Sequence, residues 1–144
     1  MRTLLSLLIV FVASCSGADG PESDSALGPV SAEVQGEQAY DDARVLRALA
    51  DAGSDLSQAH DLEHHFVCTE PAAAEPVLAW AVAHGFTPSA VTEDEFEGEA
   101  YAWFDLVKPT LPELEIVTQD TLAMRGLEAR FDVEYDGWGC QVVR

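Results

Sequence analysis

The order of the hydrophobic segments predicts an α+β fold: a ferredoxin-like split β-α-β-β-α-β arrangement with an extra N-terminal helix and an antiparallel sheet. Two features of the sequence support this prediction. Short segments with apolar residues at every second position alternate with longer segments whose apolar residues recur every three or four positions. Glycine, proline and acidic residues separate these segments, as they do where helices and strands end. Such a fold places both crossover helices on one face of the sheet, so we expect the other face to be open.

The extra helix is predicted over residues 41–52, and the first strand over residues 62–69. Asp41 or Asp42 can cap the N-terminus of this helix, and Gly53 can end it. The apolar stripe of the helix consists of Val45, Leu46 and Leu49. Alternation along the strand predicts one face with Leu62, His64, Phe66 and Cys68, and an opposite face with Glu63, His65 and Val67.

A second helix is predicted over residues 74–84, with Pro76 in its first turn, where a missing N–H does no harm. Its buried face is expected to consist of Val77, Leu78, Ala81 and Val82. Strands at residues 86–92 and 100–108 follow, and they form a hairpin around an acidic loop at residues 93–99 (EDEFEGE).

The third helix is predicted to begin at a capping box formed by Thr110 and Glu113, with Pro112 inside it, and to end near Arg130. Its expected core residues are Leu114, Val117, Met124 and Leu127. The last strand is predicted to begin near Phe131 and completes the sheet.

The charge of the chain is strongly unbalanced. Seven Lys and Arg residues stand against 26 Asp and Glu residues, a net charge of -19 in 144 residues. Nucleic acids and anionic membrane surfaces are therefore not expected as direct ligands, because both require basic patches. A basic protein partner or a cation is the natural counterpart, and solubility alone is the alternative explanation.

The N-terminal residues 1–14 (MRTLLSLLIVFVAS) are typical of a lipoprotein signal peptide. Their apolar stretch is shorter than the ~20 residues that a membrane-spanning helix needs. Residues 12–15 (VASC) resemble a bacterial lipobox, in which the cysteine thiol receives a diacylglycerol. Cys15 is therefore the predicted lipidation site. The alternative is an ordinary signal peptide with an unrelated cysteine.

Residues 15–39 are predicted to form a disordered acidic tether, because Gly, Ser, Pro, Ala and acidic residues dominate them. Ser16 follows the predicted lipidation site, and a residue other than Asp there favours the outer membrane. We therefore expect a lipid-anchored protein of the cell envelope, facing the periplasm, that touches the membrane through the Cys15 lipid only. The alternative location is the cytoplasm.

The most distinctive motif lies at residues 130–143 (RFDVEYDGWGCQVV). Asp136 and Gly137 suit a tight turn or a β-bulge, and Gly137 and Gly139 are the predicted structural glycines of this corner. The rings expected to pack on either side belong to Tyr135 and Trp138. Either the motif pins the last strand, or Tyr135, Asp136 and Trp138 form a patch that contacts a partner.

Glu63 and His65 are further candidates for partner contact, because alternation places them on the open face of the sheet. His64 points to the other face, where we expect it to be hydrogen-bonded and semi-buried. Adjacent histidines on a strand cannot chelate one ion, so no metal site is predicted. The chain has no G-x-S-x-G motif, phosphate loop or Cys-x-x-Cys motif, so neither catalytic residues nor a cofactor are expected.

Cys68 and Cys140 are predicted to form a disulfide. They lie in the first and last strands, which are neighbours in this fold, and an oxidising periplasm favours the bond. The bond requires a register in which the paired part of the last strand begins near Trp138 and not near Phe131. The alternatives are two buried free thiols or a thiol-redox protein that uses this pair.

Two stretches resemble the family of regulator of ribonuclease activity B: residues 53–55 (GSD) followed by residues 62–65 (LEHH), and residues 131–139 (FDVEYDGWG). The resemblance defines a domain over residues 40–144. It implies a ferredoxin-like fold and a non-catalytic acidic protein that inhibits ribonuclease E by binding it. An exported chain cannot meet that cytoplasmic enzyme. The predicted function is therefore protein binding by an exported lipoprotein, and the alternative is a cytoplasmic inhibitor of ribonuclease E.

Overall fold

The structure is a computed structural model that describes residues 27–144. The predicted signal peptide, the lipidation site Cys15 and the first part of the predicted tether lie outside the described residues. Within residues 27–144, every helix is too short or too polar to cross a membrane.

Three α-helices and five strands alternate along the described chain. In order they are α1 (Ala32–Asp51), β1 (His60–Cys68), α2 (Glu75–Ala83), β2 (Thr87–Pro88), β3 (Thr92–Phe96), β4 (Glu99–Thr110), α3 (Leu114–Arg130) and β5 (Glu134–Gly139). A short 3-10 helix, Pro71–Ala74, leads into α2. The sheet order is β2-β4-β1-β5, all pairs are antiparallel, and β3 also pairs with β4. The predicted ferredoxin-like α+β fold is confirmed, with its second strand divided into β2 and β3.

The main core lies between the sheet and the helices α2 and α3. Strand β1 buries every second side chain, as its alternation predicts. The rings of Phe66 and Phe104 stack with their centroids 5.3 Å apart at the centre of this layer. The helices close it with Val77, Trp80, Ala81, Met124 and Leu127. Burial of this apolar surface is the main source of stability, and it also fixes which face of the sheet stays open.

Helix α1 begins at Ala32, nine residues before the predicted start, so residues 32–39 are helical and do not belong to a disordered tether. Ser31 is the N-cap, and its side chain accepts a hydrogen bond from the Val34 N–H at 3.3 Å. The predicted cap at Asp41 or Asp42 is therefore wrong. The first nine residues of the helix were missed because polar residues, Gln38 and Asp42, occupy its buried stripe and hide the apolar period.

The segment before α1 lies across α3. The N–H of Gly28 donates a hydrogen bond to the carbonyl oxygen of Gly126 at 2.7 Å. A Cβ on Gly28 would lie 2.7 Å from backbone and side-chain carbon atoms of Ala129, so only glycine fits at this crossing. Leu27 packs against the main core. Residues 27–31 are thus an ordered part of the domain.

The predicted acidic loop, residues 93–99, is a hairpin. Its first four residues form most of β3, and a tight turn at Glu97 and Gly98 leads into β4, with φ angles of 52° and 82°. Every side chain of β3 is exposed. The strand was missed because a strand with no buried face has no alternation of apolar residues.

Two details of the helices also differ from the prediction. The capping box is absent: Glu113 occupies the N-cap of α3 without a side-chain bond, and the hydroxyl of Thr110 donates to the carbonyl oxygen of Lys108 at 3.0 Å. Leu114 and Val82, both predicted to be buried, are exposed, and Trp80 takes the buried position on α2.

Candidate functional site

The helices cover one face of the sheet and leave the other uncovered. The strand registers align its outward side chains in rows that run across the sheet. The central row consists of Thr92, Trp103, Val67 and Glu134, and the adjacent row contains Asp105, His65 and Gly137. We call this surface, with Glu63, Asp94 and Tyr101 at its margins, the open face.

The open face has an aromatic centre. Trp103 is 37% exposed, and Tyr101 lies two residues before it on the same side of β4. The phenol of Tyr101 lies near the carboxylate of Asp94 on the neighbouring strand. Its pKa is raised, first because the phenol is partly desolvated and second because this carboxylate is negatively charged. The ring therefore stays neutral and offers an apolar surface.

The margins of the open face are acidic. Among the residues that the structure describes, its carboxylates are Glu63, Asp94, Asp105 and Glu134. No Lys or Arg of residues 27–144 lies in its rows: Lys108 points to the helix side, where its ammonium bonds Asp120 at 3.2 Å and lies 4.8 Å from the ring centroid of Phe86. The open face therefore carries negative charge around an aromatic centre.

Two of the predicted partner-binding residues, Glu63 and His65, lie on the open face. The Nδ1 atom of His65 bonds Asp105 Oδ1, and the His65 side chain is 44% exposed. Sequence alternation identified these two residues. It did not identify Trp103, Asp105 or Asp94, because their position depends on the pairing of β4 with β1 and β3.

The C-terminal motif forms the bulged strand β5. Tyr135 lies opposite Phe66 and Gly137 lies opposite His65, so Asp136 is the extra residue of a β-bulge. Gly137 has a φ of 103°, a conformation that favours glycine, and the strand ends at Gly139. Asp136 is exposed beside the open face.

Tyr135 and Trp138 of this motif face inward, which corrects their proposed role in partner contact. Tyr135 is 3% exposed, and its hydroxyl lies 2.9 Å from Nδ1 of His64 in the core. Burial raises the pKa of the Tyr135 phenol far above its ordinary value. Trp138 is partly buried, and its indole N–H donates to Asp42 Oδ1 at 2.9 Å. These residues hold β5 against the core and α1.

Asp42 is the centre of a buried polar cluster that the sequence did not reveal. Its Oδ1 accepts from Gln38 Nε2 at 2.8 Å and from Trp138, and its Oδ2 accepts from the hydroxyls of Thr118 at 2.8 Å and Thr121 at 2.6 Å. Arg125 Nε donates to the side-chain oxygen of Gln38 at 2.8 Å. Four donors satisfy the fully buried carboxylate, so this cluster joins α1, α3 and β5.

The predicted disulfide between Cys68 and Cys140 is wrong. Both thiols are free, and the register pairs Glu63 with Gly139, which places Cys140 near Leu62. Six residues of strand, roughly 20 Å, separate that position from Cys68, whereas a disulfide needs Cα atoms about 5.5 Å apart. Burial and nearby acids raise the pKa of both thiols, so this pair lacks the activated thiolate of a redox site.

Within residues 27–144, no three His, Cys, Asp or Glu side chains converge into a site that could hold a metal ion. A cavity of about 430 Å³ lies on the helix side between α2 and α3. Its walls include Leu27, Trp80, His84, Lys108, Ile116 and Asp120.

Comparison with known proteins shows which family the chain resembles. A family model described as "Regulator of ribonuclease activity B" matches residues 39–140. A protein of that name from Pseudoalteromonas translucida is 31% identical over 96 residues, which cover 66% of this chain and 86% of the relative. The Aeromonas salmonicida protein of that name is 30% identical over 111 residues, covering 76% of this chain and 96% of the relative.

A third relative of the same name, from Photobacterium profundum, is 29% identical over 112 residues, covering 75% of this chain and 83% of the relative. The family match spans β1 to β5 and includes the bulge motif, the open face and Asp42. It begins after the segment that crosses α3. The chain belongs to the regulator of ribonuclease activity B family.

Proposed function

We propose that this chain is a non-catalytic regulator that binds a protein with a basic surface on its open face. The observation that carries the proposal is the chemistry of that face: an aromatic centre, acidic margins and no Lys or Arg among its described residues. Interfaces are enriched in aromatic residues, and complementary charge accelerates association and excludes wrong partners.

The proposed partner depends on the compartment. The relatives are named regulators of ribonuclease activity. In the cytoplasm, the proposed target is a ribonuclease, with ribonuclease E as the first choice from the family resemblance. With the predicted lipid on Cys15, the target is instead a protein of the cell envelope. We favour the exported form, because residues 1–15 combine a charged start, an apolar stretch and a lipobox.

The compartment is tested by fractionation and intact mass of the chain expressed with its own N-terminus in a Gram-negative host. We expect a species that begins at a lipidated Cys15 in the outer membrane, and a Cys15→Ala variant without the lipid mass. An unprocessed chain in the cytosol contradicts the lipoprotein proposal and makes ribonuclease inhibition the leading function.

The binding face is tested by photo-cross-linking in cells. A cross-linking residue is placed at Val67 in the centre of the open face, and in a matched variant at Glu115 on the exposed side of α3. We expect one discrete adduct from position 67, which is lost when Glu63 and Glu134 are both replaced by Lys. Adducts from position 115 alone contradict the proposal.

Ribonuclease E provides a direct test of the cytoplasmic alternative. Purified enzyme is assayed with the wild-type chain, with the Glu63→Lys/Glu134→Lys variant, and with a control that carries Glu33→Lys and Glu37→Lys on the exposed side of α1. Inhibition that the first variant loses and the control keeps supports that alternative, because both variants change the net charge equally. Absence of inhibition by the wild-type chain excludes it.

A further inference from the structure

From the arrangement of the open face we infer that its partner inserts an arginine side chain over Trp103, with the guanidinium held by the surrounding carboxylates. This inference rests on the proposed function and adds the chemical identity of the group that the open face recognises. The ligand class is an arginine-bearing segment of a protein.

The position of Trp103 supports this inference. Its neighbours across the sheet are Thr92 on one side and Val67 on the other. Both are small or medium-sized side chains, and Trp103 keeps more than a third of its surface exposed. The indole therefore lies between smaller side chains, and a planar group from a partner can stack on it.

Three carboxylates lie near the indole on the same face of the sheet. Asp105 lies two residues after Trp103 on the same strand and face, so their Cα atoms are about 7 Å apart. Asp94 occupies the diagonal position on β3, at a similar Cα separation from Trp103. Glu134 lies two strands away in the same row, at about 10 Å. Of these three, only Asp105 has a salt-bridge partner among the described residues, namely His65.

Arginine fits this arrangement better than lysine. A guanidinium is planar, stacks on aromatic faces and bonds carboxylates with two parallel N–H groups, whereas an ammonium is a compact and strongly hydrated point charge. The negative face of an indole also attracts a cation placed over it. A purely apolar partner side chain would instead partly desolvate the carboxylates of Asp94 and Glu134, which have no salt bridge among the described residues, and this is unfavourable.

The test uses two capped peptides of equal charge, octa-arginine and octa-lysine. Isothermal titration calorimetry measures the affinity of each peptide for the full-length chain at about 150 mM salt. We expect octa-arginine to bind about 3- to 30-fold more tightly. This ratio falls to about one in Trp103→Leu and takes an intermediate value in Trp103→Phe, because phenylalanine attracts cations less than tryptophan. Circular dichroism establishes that each variant is folded.

Equal affinities of the two peptides for the wild-type chain overturn the inference, as does an unchanged ratio in Trp103→Leu. Two charge variants separate this failure from failure of the proposed function. If Glu63→Lys/Glu134→Lys loses both peptides and Glu33→Lys/Glu37→Lys keeps them, the open face remains the binding surface and only the arginine assignment fails. If both variants bind equally, the open face is not the basic-partner site and both proposals fail.

Discussion

The indole N–H of Trp138 donates a hydrogen bond at 2.9 Å to the buried carboxylate of Asp42, which lies 96 positions earlier in the chain. This bond joins the last strand to the first helix. It explains why the aromatic residue after the bulge points inward: among the described residues Asp42 has no salt bridge, and its carboxylate accepts hydrogen bonds from neutral donors. The aromatic rings of the open face consequently come from β4, and β5 contributes Glu134 and Gly137.

Replacement of Trp138 by Phe should destabilise the protein by about 1.5–3 kcal/mol, because it removes one donor to a buried charged acceptor. The measurement is urea unfolding followed by circular dichroism. Trp103→Phe is the matched control. Its ring is partly exposed and has no hydrogen bond among those described, so we expect a change within about 0.5 kcal/mol. Equal effects of both substitutions would show that the Asp42 bond contributes little.

Two glycines should respond to Ala with opposite signs. Gly28→Ala should destabilise by about 1–3 kcal/mol, because the new Cβ would lie 2.7 Å from atoms of Ala129. Gly36→Ala should stabilise by about 0.5–1 kcal/mol, because Gly36 lies inside α1 with open space around it. Thermal unfolding of the wild-type protein and both variants measures these changes in stability. A neutral Gly36→Ala would mean that α1 begins near residue 41, and a neutral Gly28→Ala would mean that residues 27–31 do not pack on α3.

The sheet and the two crossover helices were predictable because their apolar residues follow the required periods. Leu62, Phe66 and Cys68 occupy alternate positions of β1 that only His64 interrupts, and Val117, Met124 and Leu127 are spaced as one face of a helix requires. The first turns of α1 were not predictable from apolar period alone, because Gln38 and Asp42 satisfy each other and their neighbours through hydrogen bonds. The available signal was the spacing of Gln38 and Asp42, which lie four positions apart on the same helix face as Leu46 and Leu49.

The strand registers were the other feature of the fold that could not be predicted from the sequence. The bulge at Asp136 and the pairing of Glu63 with Gly139 decide where Cys140 lies, and they depend on contacts between distant segments. The open face was predicted only for β1. Trp103 became a candidate once the structure had placed β4 between β1 and β3.

The buried histidine His64 should make stability depend on pH. Burial lowers its pKa from 6.5 to about 4, and repulsion from His65 and Lys108 adds to this shift while Asp42 opposes it. Between pH 6.5 and 4 the unfolded chain binds the proton more readily than the folded chain does. The stabilisation is therefore complete above pH 6.5 and is lost as the pH falls toward 4.

From about pH 7.5 to about pH 4.5, His64 should account for a loss of about 2–3 kcal/mol of unfolding free energy. In His64→Gln this loss should be smaller by that amount, because glutamine does not titrate while its side chain can still bond the Tyr135 hydroxyl. Urea unfolding at both pH values measures the difference between the two proteins, which removes the contribution of the carboxylates that they share. An identical pH slope in both would show that His64 titrates normally in the folded state.

The two cysteines of the domain should remain unbonded even in an oxidising compartment. The strand register separates them by about six residues, and their buried thiols have raised pKa values that disfavour thiolate attack. Alkylation without prior reduction, followed by peptide mapping, should give separately alkylated Cys68 and Cys140 after the chain is unfolded. In the folded protein Cys140 should react first, because it is the less buried of the two. A cross-linked peptide that contains both residues would contradict the register of β5 and with it the position of Glu134 on the open face.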